Sequence, residues 1–330
     1  MVYQYIPYFL KDIFKKIAME FRFFKKDIDD NQEYDVIVIG AGVAGLSASI
    51  YLGRAGKSTL ILEKNAFPGG AIATTEYVEN YPGFEKIEGI RLAELFANHA
   101  TKFGANISYN EYVKDIKENY IITGKKTYKA KAILIATGTK PRKLGVEGED
   151  KFFGKGVSVC ALCDGMFYKD KTIAVVGGGN TAFQESIYLS NIVKKIYLIH
   201  RRDSFRAEKI LIDRLKEKNN VEFVLNSVVE SINGNDKVES VTIEKEGKIE
   251  NIKVDGVFVF IGYQPDDSLY KDLVETKDGY IIVNQNMETS KKGIYAAGDV
   301  VYGSKKQAIV SAAQGALAAI HIIEYLNSLQ

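Results

Sequence analysis

The sequence predicts an α/β protein made of two Rossmann-like nucleotide-binding domains, the second inserted into the first. A short β-branched run that ends in a glycine turn and continues into a helix occurs twice, and single prolines mark the segments that join the copies. At 330 residues the chain is long enough for two domains that each bury a core.

The first copy opens at Asp35. Val36-Ile37-Val38-Ile39 reads as a buried strand, Gly40-Ala41-Gly42-Val43-Ala44-Gly45 as the turn, and a helix is predicted from about Leu46 to Ala55. The second copy has the strand Ile173-Ala174-Val175-Val176, the turn Gly177-Gly178-Gly179-Asn180-Thr181-Ala182 and a helix from about Ala182 to Ser190. Hinges are predicted at 139–146, around Pro141, and at 262–268, around Pro265. The domains are therefore expected at 34–142 with 268–330, and at 143–267.

Residues 1–33 stand apart. Ile6, Phe9, Leu10, Ile13, Phe14, Ile17, Phe21 and Phe24 recur at helical spacing, with Lys11, Lys15, Lys16, Lys25 and Lys26 mainly elsewhere on the wheel. An amphipathic helical extension is expected, packed on the body or on a second subunit, with attachment to a membrane surface as the alternative. Met19 offers a second start.

A formal net charge of +2, with 46% hydrophobic and 26% charged residues, argues against disorder and gives no steer toward nucleic acid. No secretory signal and no transmembrane run are recognised, so a cytoplasmic location is expected. Cys160 and Cys163 are the only cysteines. A closed zinc site needs four ligands, and His99, His200 and His321 lie in three distant settings, so no metal is expected. In a reducing compartment the pair reads as a reversible redox couple.

Each glycine turn lets the backbone approach a pyrophosphate whose charge sits at a helix N-terminus. Twenty-three residues beyond Gly40, after Leu60-Ile61-Leu62, stands Glu63, a carboxylate able to accept ribose hydroxyls and to repel a 2′-phosphate. The same count from Gly177 reaches His200, after Tyr197-Leu198-Ile199, and then Arg201, Arg202 and Arg206. Guanidinium groups suit a 2′-phosphate, so the second nucleotide should be NADPH. A carrier between a nicotinamide and a disulfide must accept hydride and support thiol chemistry, which makes FAD the natural occupant of the first site. Ala136-Thr137-Gly138 and Ala297-Gly298-Asp299 end strands beside it, and Asp299 is placed to hold ribitol hydroxyls. A carboxylate directly after the cysteine pair, Asp164, can supply a proton to a departing thiolate.

Over residues 34–330 the chain resembles the low-molecular-weight thioredoxin reductases. Cys160-Ala161-Leu162-Cys163-Asp164-Gly165 is similar to that family's active-site motif, and His200-Arg201-Arg202-Asp203-Ser204-Phe205-Arg206 to its NADPH motif. Glu79-Asn80-Tyr81-Pro82-Gly83 is similar to its flavin-side loop, and Gly298-Asp299 to its second FAD motif. The resemblance implies that Cys163 faces the flavin, that Cys160 attacks the disulfide of thioredoxin, and that Asp164 gives and takes a proton. It also implies FAD contacts at Val43, Ala44, Lys64, Gly70, Ala71, Asn80, Val113, Lys306, Gln307 and Ala308, NADPH contacts at Gly177, Gly179, Asn180 and Thr181, a rotating NADPH domain and a homodimer. Two departures bear on flavin contacts: Ala71 stands where the family usually has glutamine, and Lys305-Lys306-Gln307 where Tyr-Arg-Gln is usual. A reductase of a peroxiredoxin or another small disulfide protein shares this core. That type usually carries a large N-terminal redox extension, whereas residues 1–33 contain no cysteine. A dithiol oxidase would not need the arginines, and neither a ferredoxin reductase nor an NADP-sensing module would need the cysteines.

Overall fold

The structure is a computed structural model that describes residues 33–329, in two compact units: Pro141–Tyr263, and residues 33–140 with 264–329. The N-terminal helix expected from the sequence lies outside the described residues.

In the split unit, a seven-stranded sheet runs in the order Asn106–Ser108, Thr59–Leu62, Glu33–Ile39, Thr127–Ile135, Tyr120–Thr123 and Val113–Lys117, and Ile294–Ala296 also pairs with Thr127–Ile135. The first four strands and Ile294–Ala296 pair in parallel; the Tyr120–Thr123 and Val113–Lys117 strands add antiparallel pairs. Val36 to Ile39 are buried on both faces, which is why the run is continuously apolar instead of alternating. Val36 and Val38 join Leu46, Leu52, Ala318 and Ile322 on one side, while Ile37 and Ile39 join Leu60, Ile133 and Tyr270 on the other.

The helix Val43–Arg54 starts earlier than its apolar spacing indicated, because the turn residues Val43 to Gly45 already take helical geometry. It packs against the C-terminal helix Ala308–Asn327 so tightly that a Cβ on Gly315 would lie 2.1 Å from the Ala44 carbonyl oxygen. By length and composition Ala308–Asn327 is apolar enough to cross a membrane, a feature the sequence reading did not register. Its Ala318, Ala319 and Ile322 sit in the core of this unit, while Ile309 and Ile320 are exposed.

The contiguous unit has a parallel sheet in the order Val157–Ser158, Gly256–Phe260, Thr172–Gly177, Lys195–Ile199 and Val221–Val224. One face holds Ala174, Val176 and Val257, covered by the antiparallel strands Ser227–Gly234, Val238–Lys245 and Lys248–Lys253. The other holds Ile173, Val175 and Phe258 with Phe183 and Leu189 of the helix Asn180–Ser190. In a parallel sheet all strands end at one edge, so the redox segment after Ser158 and the glycine turn at Gly177 leave the same edge.

Candidate active site

In the split unit, Gly40 has φ +108°, and a Cβ there would fall 2.4 Å from the Ala136 carbonyl oxygen. Only glycine lets the two strand ends come that close. Gly42 caps the helix Val43–Arg54 without any side-chain cap, and a Cβ on it would meet nothing within 4 Å. There is thus room beside the N-terminus of that helix, the arrangement that suits a diphosphate.

Glu63 is 4% exposed; its Oε2 accepts the Ala41 N–H at 2.8 Å and its Oε1 the Asn65 N–H at 2.8 Å. Burial pushes its pKa up, and the Asn65 and Ala41 N–H groups oppose that shift. Each oxygen keeps acceptor capacity for a ribose hydroxyl. The Thr137 hydroxyl is buried without a hydrogen-bond partner, an orphan that a ligand could satisfy. Gly298 (φ +85°) donates its N–H to Gln314 Oε1 at 2.9 Å, and Ser311 Oγ donates to Asp299 Oδ1 at 3.2 Å. Burial raises the Asp299 pKa, against the Ser311 hydrogen bond and the Lys306 charge.

Other expected positions lie in the same unit. Gly69 donates to the Ala41 carbonyl, and a Cβ on Gly70 would touch Gly42 Cα at 3.4 Å. Asn80 Nδ2 donates to Gln307 Oε1 at 3.1 Å, and Ala308 opens the C-terminal helix. Lys64 and Ala71 are exposed, Ala136 is buried, Gly138 has φ +66°, and Val113 is buried in the core beside the sheet. Lys306 donates to the Tyr280 hydroxyl at 2.8 Å. Ser311 and Gln314, which orient Asp299 and Gly298, were not foreseen; both lie on the Ala308–Asn327 helix, and only their helical spacing of three could have flagged them.

In the contiguous unit, a Cβ on Gly177 would lie 2.4 Å from the Phe260 carbonyl oxygen, while one on Gly179 would meet nothing within 4 Å. Asn180 and Glu208 hold each other: Asn180 Nδ2 donates to Glu208 Oε1 at 2.8 Å and the Glu208 N–H donates to Asn180 Oδ1 at 2.8 Å. Thr181 is half-buried in the first turn of the helix. His200 points inward, 7% exposed, with Nε2 3.1 Å from the Ser204 carbonyl oxygen. Burial lowers its pKa, partly offset by Ser204, and the Arg206, Arg201 and Arg202 charges lower it further. These three arginines are exposed, and the Arg206 N–H donates to the Gly178 carbonyl at 2.8 Å. The cationic loop is thus tied by its backbone to the glycine turn.

Cys160 and Cys163 are joined by an S–S bond of 2.01 Å. Cys160 precedes the short helix Ala161–Asp164, and its Sγ accepts the Cys163 N–H at 3.2 Å. Ser158 Oγ donates to Asp164 Oδ2 at 2.6 Å and accepts the Cys160 N–H at 3.1 Å. Burial raises the Asp164 pKa and the Ser158 hydrogen bond opposes it, so the carboxyl is poised to hold a proton more readily than an exposed aspartate. Sequence reasoning missed Ser158; its one signal is a hydroxyl two residues before the redox pair.

The family model for "Pyridine nucleotide-disulphide oxidoreductase" matches residues 34–315. A thioredoxin reductase of Bacillus subtilis is 43% identical over 310 residues, covering 92% of this chain and 98% of that protein. The crystal structure of thioredoxin reductase from T. acidophilum aligns with a TM-score of 0.86 at 38% identity, over 91% of this chain and 100% of that one. The Lactococcus lactis thioredoxin reductase aligns with a TM-score of 0.86 at 35% identity, over 89% and 99%. By these matches the chain belongs to the pyridine nucleotide-disulphide oxidoreductase family and, within it, to the thioredoxin reductases.

Proposed function

We propose that this protein takes electrons from NADPH through FAD to the Cys160–Cys163 disulfide and on to the disulfide of thioredoxin. The observation that carries the proposal is the bonded cysteine pair next to a half-buried Asp164 that accepts from Ser158, on the same sheet edge as a glycine turn whose Gly178 carbonyl holds the arginine loop. A flavin and a pyridine nucleotide are the cofactors of the family; their assignment as FAD and NADPH rests on the residues.

In the FAD unit, residues 34–142 with 268–330, the Gly40–Gly45 turn would hold the pyrophosphate. Glu63 would accept ribose hydroxyls, and Asp299 would hold the ribitol. Lys64, Gly70, Ala71, Asn80, Val113, Ala136 to Gly138 and Lys306 to Ala308 complete the proposed contacts. When bound, FAD supplies the acceptor for hydride and the two electrons that open the disulfide. In the NADPH unit, residues 143–267, Gly177, Gly179, Asn180 and Thr181 would receive the pyrophosphate and Arg201, Arg202 and Arg206 the 2′-phosphate. His200 supports the turn from beneath.

With the dithiol formed, the Cys160 thiolate attacks one sulfur of the thioredoxin disulfide. The substrate S–S bond breaks, a mixed disulfide forms, and the departing thiolate takes a proton from Asp164. Cys163 then attacks Cys160 Sγ, which releases the second substrate thiol and restores the Cys160–Cys163 bond. Two electrons leave the protein pair and two reach the substrate. A homodimer in a reducing, cytoplasmic setting is part of the same proposal. The test is NADPH oxidation by the purified flavoprotein with and without oxidised thioredoxin. Turnover that depends on thioredoxin is expected; turnover only with a peroxiredoxin or another small disulfide protein would move the assignment.

A further inference from the structure

We propose that Ser158 is the positioning residue for proton transfer at the redox disulfide, because its hydroxyl keeps Asp164 hydrogen-bonded whether that carboxyl holds its proton or has given it up. The inference rests on the reading of Asp164 as the proton donor.

Ser158 is 4% exposed and sits at the end of a strand, held by its pairing with Phe258. Its Oγ has three polar neighbours: Asp164 Oδ2 at 2.6 Å, the Cys160 nitrogen at 3.1 Å and the Cys160 carbonyl oxygen at 3.3 Å. A hydroxyl has one hydrogen and two acceptor lone pairs. The Cys160 N–H fills one lone pair in either state. With Asp164 ionised, the Ser158 hydrogen goes to Oδ2. With Asp164 protonated, the carboxyl O–H donates to the second lone pair and the Ser158 hydrogen turns to the Cys160 carbonyl.

Neither state leaves a buried polar group of this cluster unpaired, and no heavy atom has to move. When Asp164 protonates a departing thiolate, its O–H bond breaks, the sulfur gains the proton, and the Ser158 hydrogen swings from the Cys160 carbonyl to Oδ2. The same hydroxyl grips the Cys160 backbone, so acid and cysteine are held in one frame.

Few other groups compete for this proton. Tyr168 faces Asp164 from the turn that follows, and burial, Asp164 and Asp255 push its phenol up to about 12, so it stays neutral near pH 7. The titratable groups of the Asn180–Ser190 helix are Tyr188, whose ring packs toward Gly165, and the buried Glu185. Among the described residues no charged side chain bears on Asp164.

The test is the pH profile of kcat/KM for oxidised Bacillus subtilis thioredoxin, measured on the holoenzyme and its Ser158→Ala, Ser158→Thr and Asp164→Asn variants. Asp164→Asn should abolish the limb that belongs to Asp164. An unchanged profile there would sink the reading of Asp164 as the acid, and the inference with it. If that limb is abolished, Ser158→Ala should move it about one pH unit toward higher pH, since of the two hydrogen bonds lost the charge-assisted one to the carboxylate is the stronger. Ser158→Thr should keep it where the wild type has it. A limb that stays in place in Ser158→Ala with the rate lowered equally at all pH values would reduce Ser158 to a structural role and overturn the inference while leaving Asp164 as the acid. A Thr variant that shifts as far as the Ala variant would also overturn it.

Discussion

The imidazole of His200 lies against the backbone of Gly178, so that a Cβ on that glycine would fall 2.2 Å from Cε1. The ring is buried and its pKa is held below the usual histidine range, first by desolvation. A histidine with a depressed folded pKa contributes stability that is present above pH of about 6.5 and lost as pH falls. The thermal midpoint of the wild type should therefore fall more steeply below pH 6.5 than that of His200→Gln. Parallel curves would remove the idea.

Gly178→Ala should displace that ring and the loop tied to it. KM for NADPH is expected to rise about tenfold or more, with flavin content unchanged. Steady-state kinetics beside the flavin absorbance checks this, and an unaltered KM would show that the contact does not shape the nucleotide site.

Coenzyme choice should follow the exposed arginines. If two of them each contribute about 1.5–2 kcal/mol of charge-assisted hydrogen bonding, kcat/KM should favour NADPH over NADH by on the order of a hundredfold or more. Arg201→Ala with Arg206→Ala should erase most of that ratio. Equal use of both coenzymes by the wild type would contradict the assignment.

Two glycines of the first turn should respond in opposite ways. Gly40→Ala forces a strained φ and a backbone clash, at a cost of roughly 1–3 kcal/mol or more. Gly42→Ala meets nothing in the protein, so it should leave the fold intact and lower FAD occupancy, as Glu63→Ala should. The purified wild type should release FAD on denaturation. Thermal melts and flavin-to-protein ratios separate the two effects; full FAD occupancy in Gly42→Ala would mean that no diphosphate lies over the turn.

The cysteines should behave as an obligatory relay. Cys160→Ser and Cys163→Ser should each abolish thioredoxin turnover, while NADPH still bleaches the flavin in stopped flow. Cys163→Ser alone should accumulate a mixed disulfide with thioredoxin, because no second thiol remains to resolve it. Near wild-type turnover by either variant would end the reductase assignment.

The parts of the fold that were legible in the sequence are those where one constraint dominates. Val36 to Ile39 is buried on both faces, so it had to be continuously apolar, and the glycines at 40 and 177 sit where a Cβ would strike a neighbouring carbonyl. The strands Ser227–Gly234 to Lys248–Lys253 went unread because Ser227 is buried, Val228 is exposed and Lys248–Lys253 is almost wholly exposed, so apolar residues do not keep the period of two. The inward turn of His200 was equally hidden, since a His-Arg-Arg run does not say which side chain follows the strand's buried face. Ser158 and Asp164 meet only because a strand end and a helical turn fold back on each other, a relation that no linear spacing announces.

The close approach of Ala44 and Gly315 has a consequence for how the protein is made. The Val43–Arg54 helix lacks its partner until Ala308–Asn327 has been synthesised, near the end of the chain, and Thr127–Ile135 waits as long for Ile294–Ala296. The Pro141–Tyr263 unit is contiguous and can close as soon as it leaves the ribosome. While residues 264–329 are being added, the growing chain thus carries a complete contiguous unit beside an unfinished split one, and a nascent chain cut short before the last helix would keep the first glycine turn while losing the wall behind it.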